Sequence, residues 1–334
     1  MRKILILSAV LAISTYSCKK DDKTDIDAAS SNVICAGYVE GNVSSAALWT
    51  GSNLTRLPGG QANANSVFVY GNDVYVCGED YVSFPTAACV WKNGSRTILT
   101  SDATAEAICV ANGVDYVAGV LHDTLPYVAI GGNIIPLEMP SSTFYYSQYV
   151  EDITVTNGDY VVVGQVETRP AFWVNGSLGF LPPTGVAGMA TGATKGSSGI
   201  FISGYRFNSA AGAYMAVYWL NGIEYTLTSG ATSSYASGIA VSGTDVYVSG
   251  YMRDPSAPEL RAVYWKNGVV NYLTSGQTEA RAKAIAVKGS DVYVSGFESD
   301  ASDYYIPKYW KNGVAVTLSS ASGEDAEASD IAIK

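Results

Sequence analysis

Aromatic, acidic and basic side chains gather in the stretches of this chain that vary most. These stretches follow a short segment ending in glycine, such as VYVSG, that returns several times along the sequence. Rings can bury their faces against a ligand while polar neighbours fix its orientation, which suits a glycan or a peptide. A solvated rim rich in tyrosine is the alternative. The predicted ligand-binding residues are Glu79, Tyr81, Phe84, Asp123, Glu167, Arg169, Tyr205, Arg206, Phe207, Tyr251, Arg253, Tyr304 and Tyr305.

Catalytic chemistry has less support in the residue types. The chain has one histidine, His122, and its cysteines and carboxylates show no clustered spacing, which argues against a zinc centre and against a serine or cysteine triad. We therefore predict no catalytic residue, no metal and no cofactor. Paired carboxylates could still cleave a glycan if the fold brought them together, with Glu79, Asp123, Glu167 and Asp254 as the candidates. The arginines that could form a sialidase-like triad are Arg169, Arg206 and Arg253, although no sialidase Asp-box is found.

Four aspartates recur in the predicted tight turns and could suggest calcium sites. An aspartate in a tight turn more often hydrogen-bonds its own backbone, so we predict that role instead. They are Asp73, Asp159, Asp245 and Asp291.

The glycine that ends the VYVSG segment recurs seven times. By subtraction its spacings are 41, 41, 45, 40, 46 and 46 residues. Periods of this length with several short strands in each are typical of a β-propeller. The seven glycines are Gly37, Gly78, Gly119, Gly164, Gly204, Gly250 and Gly296.

Each copy contains four strand-like stretches joined by two kinds of connection. Tight turns join strands one to two and three to four, the latter often through Asn-Gly, a strong hairpin signal. The other two connections are longer and gather on one face, which we call the long-loop face; the tight turns define the short-turn face. Long crossovers between units and short hairpins within them indicate that the first strand is innermost, which fits its small side chains. In the sixth copy the four strands are predicted at Ile239–Val241, Val246–Gly250, Ala262–Trp265 and Val270–Thr274.

Tryptophan occupies the same slot of the third strand in six of the seven copies. Because the slot lies in mid-strand, we predict a wedge between adjacent blades rather than a surface for sugar stacking. The third copy is predicted to place Ile130 there. The six are Trp49, Trp91, Trp173, Trp219, Trp265 and Trp310.

The two ends of the repeat region complete one another. The chain finishes with Asp330–Lys334, a first strand without its second, while Asn32–Gly37 is a second strand without its first. Joining them closes the ring and removes exposed sheet edges. The sequence therefore predicts one all-β domain over residues 32–334, a seven-bladed propeller of twenty-eight strands.

The repeat unit resembles the HAF-type extracellular repeat. The resemblance is clearest at Ala171-Phe172-Trp173-Val174-Asn175-Gly176 and covers about 300 residues, although no copy has the family's His-Ala-Phe start. It implies an extracellular propeller-like array and brings no catalytic residues with it.

The N-terminus resembles that of a bacterial lipoprotein, of the loose type found in Bacteroidota. Arg2 and Lys3 precede an apolar run of ten residues, too short to span a bilayer, and Cys18 follows as the lipid-bearing residue. A secretory peptide with an incidental cysteine is the alternative. We predict a signal peptide at 1–17, a polar tether at 18–31, and an outer-membrane protein displayed on the cell surface.

Charge and cysteine content complete the sequence-based description. The net charge of −10 becomes −12 without the signal peptide, and no basic stripe is present, which disfavours nucleic acid. We expect a monomer that binds an unidentified glycan or protein and reaches the membrane only through its lipid. The other cysteines, Cys35, Cys77, Cys89 and Cys109, are predicted to be buried thiols, with a Cys77–Cys89 disulfide left open.

Overall fold

The chain forms a closed ring of seven antiparallel sheets. The computed structural model describes residues 32–82, 85–141, 148–321 and 323–334, in which twenty-eight strands build seven blades of four. The predicted seven-bladed propeller is therefore confirmed. The predicted signal peptide, Cys18 and the tether lie outside the described residues. Within those residues no helix is long and apolar enough to cross a membrane.

The strands follow one another blade by blade, and blade 1 takes its first strand from the end of the chain. Blade 1 comprises β28 (Asp325–Ile333), β1 (Val33–Glu40), β2 (Ser44–Thr50) and β3 (Asn53–Arg56). Blades 2 and 3 comprise β4 (Ala62–Tyr70), β5 (Asp73–Asp80), β6 (Ala87–Lys92), β7 (Ser95–Ser101), β8 (Ala107–Ala111), β9 (Val114–Leu121), β10 (Leu125–Ile130) and β11 (Asn133–Pro136).

Blades 4 to 7 repeat the same order. Blades 4 and 5 comprise β12 (Tyr149–Thr156), β13 (Asp159–Val166), β14 (Arg169–Val174), β15 (Ser177–Phe180), β16 (Gly188–Gly196), β17 (Gly199–Asn208), β18 (Ala213–Leu220) and β19 (Ile223–Thr226). Blades 6 and 7 comprise β20 (Ser234–Ser242), β21 (Asp245–Arg253), β22 (Leu260–Lys266), β23 (Val269–Tyr272), β24 (Ala280–Lys288), β25 (Asp291–Ser299), β26 (Tyr305–Lys311) and β27 (Val314–Thr317).

The first strand of each blade lies innermost, as predicted, but it is longer than its small-residue core. In blade 6 the prediction began at Ile239, whereas β20 begins at Ser234 and extends toward the long-loop face. The extra residues follow the pattern Ala-x-Ala-x-x before the Ile-Ala-Val core in several blades. The inner strands therefore carry polar side chains along the channel that the short prediction left out.

A β-bulge interrupts the inner strands at the place where they pass the repeated glycine. Pairing skips Asn65 in β4, Glu151 in β12 and Thr191 in β16, and similar shifts occur in β20, β24 and β28. In blade 3, Glu106 occupies the matching position just before β8. A bulge leaves its extra residue unpaired and re-aims its side chain. Here the re-aimed side chains face the central channel.

The repeated position must be glycine because the bulged inner strand places backbone atoms where a side chain would begin. A Cβ on any of the seven would lie 1.8–2.2 Å from a carbonyl oxygen of the neighbouring inner strand. Real Cβ atoms do not approach an oxygen so closely, so only glycine allows the close approach. The oxygens belong to Glu327, Asn63, Thr104, Tyr149, Met189, Tyr235 and Arg281.

The six tryptophans are wedges between blades, as predicted, and four of them also bind the preceding blade. All six are at most 1% exposed, and each belongs to a core shared by two adjacent blades. The indole N–H groups that bind a backbone carbonyl of the preceding blade are those of Trp49 to Ser319 (2.8 Å), Trp91 to Pro58 (2.7 Å), Trp173 to Glu138 (2.8 Å) and Trp219 to Pro182 (2.7 Å).

The prediction for the third blade was wrong by one residue. In the other blades tryptophan pairs with the residue two positions before the repeated glycine. In blade 3 that residue is Val117, and it pairs with Ala129, not with Ile130. Tyr127, two residues earlier on the same face, fills the space that a tryptophan side chain occupies in the other blades. It is fully buried, and its hydroxyl donates a hydrogen bond to the Thr104 carbonyl at 2.8 Å. Blade 3 thus keeps an aromatic wedge but anchors it from a different backbone position.

The predicted closure of the ring is confirmed. β28 pairs antiparallel with β1, from Val33 opposite Ile333 to Glu40 opposite Asp325. The chain therefore enters the propeller at the short-turn end of β1 and leaves it beside that point, where the Lys334 N–H donates to the Asn32 carbonyl at 2.9 Å.

The cysteines of blade 2 cannot form the disulfide left open by the sequence. All four cysteines of the described residues are buried thiols, as predicted. Cys77 pairs with Val90, and Gly78 pairs with Cys89. Successive side chains of a strand point to opposite faces, so Cys77 enters the core shared with blade 3 and Cys89 the core shared with blade 1.

The turn aspartates have a different partner from the predicted one. Each carboxylate accepts a hydrogen bond from the side chain of the asparagine in the Asn-Gly hairpin of its blade, at 2.7–2.8 Å, rather than from its own backbone. The side-chain oxygen of that asparagine in turn accepts a hydrogen bond from the backbone N–H of the residue after the aspartate. The four pairs, which tie the two tight turns of a blade together, are Asp73–Asn93, Asp159–Asn175, Asp245–Asn267 and Asp291–Asn312.

Deleting Asp330–Lys334 should strongly destabilise the domain. The deletion removes half of the β28–β1 pairing and the buried Ile331 side chain, whose loss alone costs about 2–5 kcal/mol. Thermal unfolding measures the effect, with a deletion of Lys334 alone as the control. An unchanged melting temperature would refute the closing role of this strand.

Gly296→Ala should destabilise the protein far more than Ser295→Ala, its neighbour on the same strand. The new Cβ would meet the Arg281 carbonyl oxygen, and overpacking of this kind costs about 1–3 kcal/mol or more. The buried Ser295 hydroxyl has no partner among the described residues, so its removal should be close to neutral. Chemical denaturation of both variants makes the comparison, and equal stabilities would contradict the bulge argument.

Candidate functional site

A funnel opens at the centre of the long-loop face and is lined by the inner strands of all seven blades. Its cavity measures about 430 Å³. The bulge residues form a ring in its wall, which we call the bulge ring. Its members, in blade order from blade 1, are Ser329, Asn65, Glu106, Glu151, Thr191, Ser237 and Lys283.

Blades 2 and 3 place two carboxylates on one amide. The Asn65 Nδ2 donates to the Glu79 Oε1 at 3.3 Å and to the Glu106 Oε2 at 3.1 Å. The Tyr81 hydroxyl donates to the other oxygen of Glu79. Burial raises the pKa of Glu106 to about 8, and the nearby Glu79 carboxylate adds to the rise. Glu106 therefore takes up a proton at higher pH than an exposed glutamate does.

Blades 4, 7 and 1 contribute a lysine between carboxylates. The Lys283 Nζ lies 3.0 Å from the Glu327 Oε1. Burial alone would lower the pKa of Lys283, but Glu327 outweighs it and holds the pKa above its usual range. Burial raises the pKa of Glu151 to about 7, a rise that Lys283 partly opposes. The positive charge in the funnel is thus already paired, while Glu151 is only weakly compensated.

Two aspartates next to the bulge ring link neighbouring blades through backbone. The Asp152 carboxylate accepts the N–H groups of Ile153 and of Ala193 in blade 5, each at 2.7 Å. The Asp330 carboxylate accepts the Val67 N–H and the Ser66 hydroxyl of blade 2, each at 2.8 Å. Burial raises the pKa of Asp152 to about 7 and that of Asp330 to about 6, although these donors oppose the rise.

Tyrosines from blades 5 and 6 form the opposite wall of the funnel. We call Tyr205, Tyr214, Tyr235 and Tyr251 the tyrosine cluster; the funnel is lined by all of them except Tyr214, which packs against Tyr205 and Tyr235. The rings of Tyr205 and Tyr235 meet edge to face with centroids 4.9 Å apart, and those of Tyr235 and Tyr251 stack at 5.0 Å. The Arg281 guanidinium of blade 7 lies 5.0 Å from the Tyr251 ring centre. Aromatic surface therefore faces acidic and amide groups across one cavity.

The tyrosine cluster also borders a second cavity toward the rim. This groove, of about 480 Å³, shares Tyr235 and Tyr251 with the funnel and adds Arg253 and Arg281. The two rings thus form a ridge between the funnel and the groove. A ligand longer than one small ring could contact both sides of that ridge.

The structure gathers some of the predicted ligand-binding residues and separates others. Tyr205 and Tyr251 line the funnel, Glu79 and Tyr81 stand behind its wall, and Arg253 lies in the groove. Tyr305 lines a third cavity, at blade 7, and stacks on Phe297 at 4.1 Å. Phe84 lies outside the described residues. The remaining side chains engage local partners or solvent: Glu167 with Arg169, Arg206 with Glu224, Phe207 with Tyr214, and the exposed Asp123 and Tyr304.

The catalytic alternatives also separate by geometry. Arg169 and Arg206 are held in ion pairs of their own blades, and Arg253 donates to the Pro258 carbonyl at 3.2 Å. Asp254 is paired with Arg261 at 2.6 Å. Of the four carboxylates proposed from the sequence, Glu79 alone joins the funnel acids described above.

Sequence reasoning missed the acids and the lysine of the inner strands. Glu106, Glu151, Lys283 and Glu327 lie in the variable stretch before the Ile-Ala-Val core, which was predicted to be loop. A signal was present, because a charged residue between alanines of an innermost strand has no reason to be there for packing. This signal could be used only once the inner strand of each blade was known to begin several residues before its Ile-Ala-Val core.

Comparisons with known proteins identify the fold alone. No family model matches the chain, and no curated protein matches it. The β-propeller domain of the Trilobed protease from Pyrococcus furiosus, described as having an open velcro topology, aligns with a TM-score of 0.56 at 11% identity, covering 87% of this chain and 95% of that one. A periplasmic gluconolactonase from Pseudomonas aeruginosa gives 0.49 at 14% identity, covering 89% and 99%. A putative TolB from Agrobacterium tumefaciens gives 0.48 at 12%, covering 72% and 94%.

Stability should rise as the pH falls from about 8 to 5.5. Over this window Glu106, Glu151, Asp152 and Asp330 take up protons in the folded protein, whereas unfolded carboxyl groups titrate near pH 4. The folded state therefore binds more protons, and the free energy of unfolding increases on acidification. Below that window, aspartates with lowered pKa values, such as Asp245 and Asp291, lose their partners and stability falls again.

Melting temperatures measured across this range test the prediction. A Glu106→Gln, Glu151→Gln double variant should show a flatter profile, because two of the four groups no longer titrate. A melting temperature that falls steadily from pH 8 to 5.5 would contradict the placement of these acids.

Proposed function

We propose that this protein is a lipid-anchored, cell-surface binding protein that holds a glycan in the funnel of the long-loop face. The observation that carries the proposal is the tyrosine cluster, which stands opposite carboxylates and amides across a single cavity. Sugar rings present apolar faces and polar edges, so stacking surfaces beside hydrogen-bonding groups suit them.

The ridge formed by Tyr235 and Tyr251 favours an oligosaccharide over a single sugar. One side of the ridge faces the funnel and the other the groove with Arg253 and Arg281. A chain of sugars lying across the ridge would use both cavities. Bulk apolar ligands fit less well, because polar atoms make up more of the exposed funnel wall than apolar atoms do.

The direction of chain entry supports display outward from a membrane. β1 begins at Val33 on the short-turn face and runs toward the funnel, where Tyr38 lines the wall. A lipid on Cys18 would leave a tether over residues 18–31, with a maximum reach of about 50 Å. The anchor would therefore hold the short-turn face toward the membrane and leave the funnel facing away from it.

Glycan-array screening of the chain from Ser31 onward tests the proposal. We expect binding to at least one glycan class, with Tyr235→Ala and Tyr251→Ala each weakening it about tenfold or more through loss of stacked area. Tyr272→Ala, which changes an exposed tyrosine of the outer strand of blade 6, is the matched control. Absence of binding to every glycan class would overturn the glycan proposal, and capture of a host protein through the same tyrosines would assign the funnel to a protein ligand.

A glycan-cleaving hydrolase or lyase is the second candidate, and it rests on the Glu79–Asn65–Glu106 arrangement. Because both carboxylates bind one nitrogen, their nearest oxygens are at most about 6.4 Å apart, close enough for both to act on one glycosidic bond. A protonated Glu106 could act as the acid. New reducing or unsaturated ends on a bound oligosaccharide, abolished by Glu106→Gln, would favour the enzyme; prolonged incubation without product would reject it.

A further inference from the structure

We propose that the funnel recognises a positively charged amine, held between the side chains of Glu106 and Glu151, so that its ligand is a glycan carrying a free amino sugar. The inference rests on the proposed function and narrows its ligand class. Glu106 and Glu151 are consecutive members of the bulge ring, on blades 3 and 4, and both line the cavity.

The charges of the funnel are unequal in number. Five carboxylates line it, and Lys283 is the one cation among the described lining residues. Lys283 is already paired with Glu327, so it offers no free charge to the other acids. The lining carboxylates are Glu106, Glu151, Asp152, Glu327 and Asp330.

Three of those five acids are already satisfied by the protein. Glu327 has its lysine, while Asp152 and Asp330 accept backbone N–H groups across the blade interfaces. Glu106 has a hydrogen bond from Asn65, which it shares with Glu79. Glu151 makes no hydrogen bond with any residue that the structure describes. Glu106 and Glu151 are thus the groups left to meet a ligand.

Two weakly compensated acids enclosed together favour a cation. A shielded carboxylate without a positive partner is unstable in its charged form, and it then takes up a proton instead. The raised pKa values of Glu106 and Glu151 report this condition, and the groups facing them are Glu79, Asp152 and Lys283. An amine placed between them would bind as an ammonium, either already protonated or by taking up the proton of one acid, and would supply the missing positive charge.

Aromatic surface lies beside this position. The negative charge of Glu151 adds to the burial that raises the pKa of Tyr205, which places the carboxylate near the tyrosine cluster. Ammonium groups bind favourably over tyrosine faces. One sugar could therefore direct its amine to Glu106 and Glu151 while its ring lies against Tyr205 and Tyr235. A metal ion fits less well, since the described residues contain no cluster of three or more acids, histidines or cysteines able to hold one.

Two oligosaccharides that differ only in the amine test the inference. We would titrate the full chain with chitosan tetramer and with its N-acetylated counterpart, chitin tetramer, by calorimetry at pH 7.5 in buffers of different ionisation enthalpy. We expect the free amine to bind at least tenfold more tightly, with little net proton release, because an amino-sugar amine is partly neutral at this pH and takes up the proton that the glutamic acid gives up. Glu151→Gln and Glu106→Gln should each remove this preference, so that the two tetramers bind with similar affinity.

Glu40→Gln is the matched control, because it removes the same charge from an exposed position at the end of β1. Equal binding of both tetramers would overturn the amine site and leave the glycan proposal standing. An amine preference that survives both glutamine variants would also overturn it, since the amine would then bind elsewhere. If neither tetramer nor any arrayed glycan binds, the proposed function itself fails.

Discussion

The close contact between each repeated glycine and a carbonyl oxygen of the inner strand is the constraint on which the structure depends. It lets the inner strand bulge without forcing the second strand of the blade away. A bulge adds a residue, and the added residue turns its side chain toward the channel. The same small residue that marks the repeat in the sequence therefore also determines which side chains the funnel can present. Replacing those side chains changes the chemistry of the funnel and leaves the frame intact.

The ring of blades stabilises the folded protein, whereas the acids of the funnel destabilise it. Tryptophans and small residues fill the similar cores between blades, and the pairing of β28 with β1 completes blade 1, which stabilises the ring. The funnel collects acids in a partly enclosed space, which costs stability unless they are protonated or paired. Asp152 and Asp330 show how part of that cost is offset, because their carboxylates bind backbone of the next blade. Glu151 makes no such bond within the described part of the chain, and an acid kept there at a cost points to function.

Much of the fold could be predicted because the same sequence unit recurs seven times along the chain. Glycine spacing, the tryptophan slot and the complementary ends sufficed for the number of blades, their strand order and the closure. Bulges could not be predicted, since they depend on how two strands pair and leave no mark in the spacing of one strand. The error at Ile130 has a related cause. In blade 3 the tryptophan position holds the small Ala129 and the large side chain is that of Tyr127, which only the strand pairing reveals. The site prediction favoured the variable loops, so it named Tyr205 and Tyr251, which line the funnel, but not the acids of the inner strands.

The pairing of β28 with β1 has a consequence for how the protein is made. Among the twenty-eight strands of the propeller, β1 is synthesised first and β28 last, so blade 1 stays incomplete until β28 has been made. A chain that stops early would keep the edge of β1 uncovered, and such edges recruit other strands. Synthesis of β28 thus covers the edge that β1, the first strand of the propeller, leaves open until then.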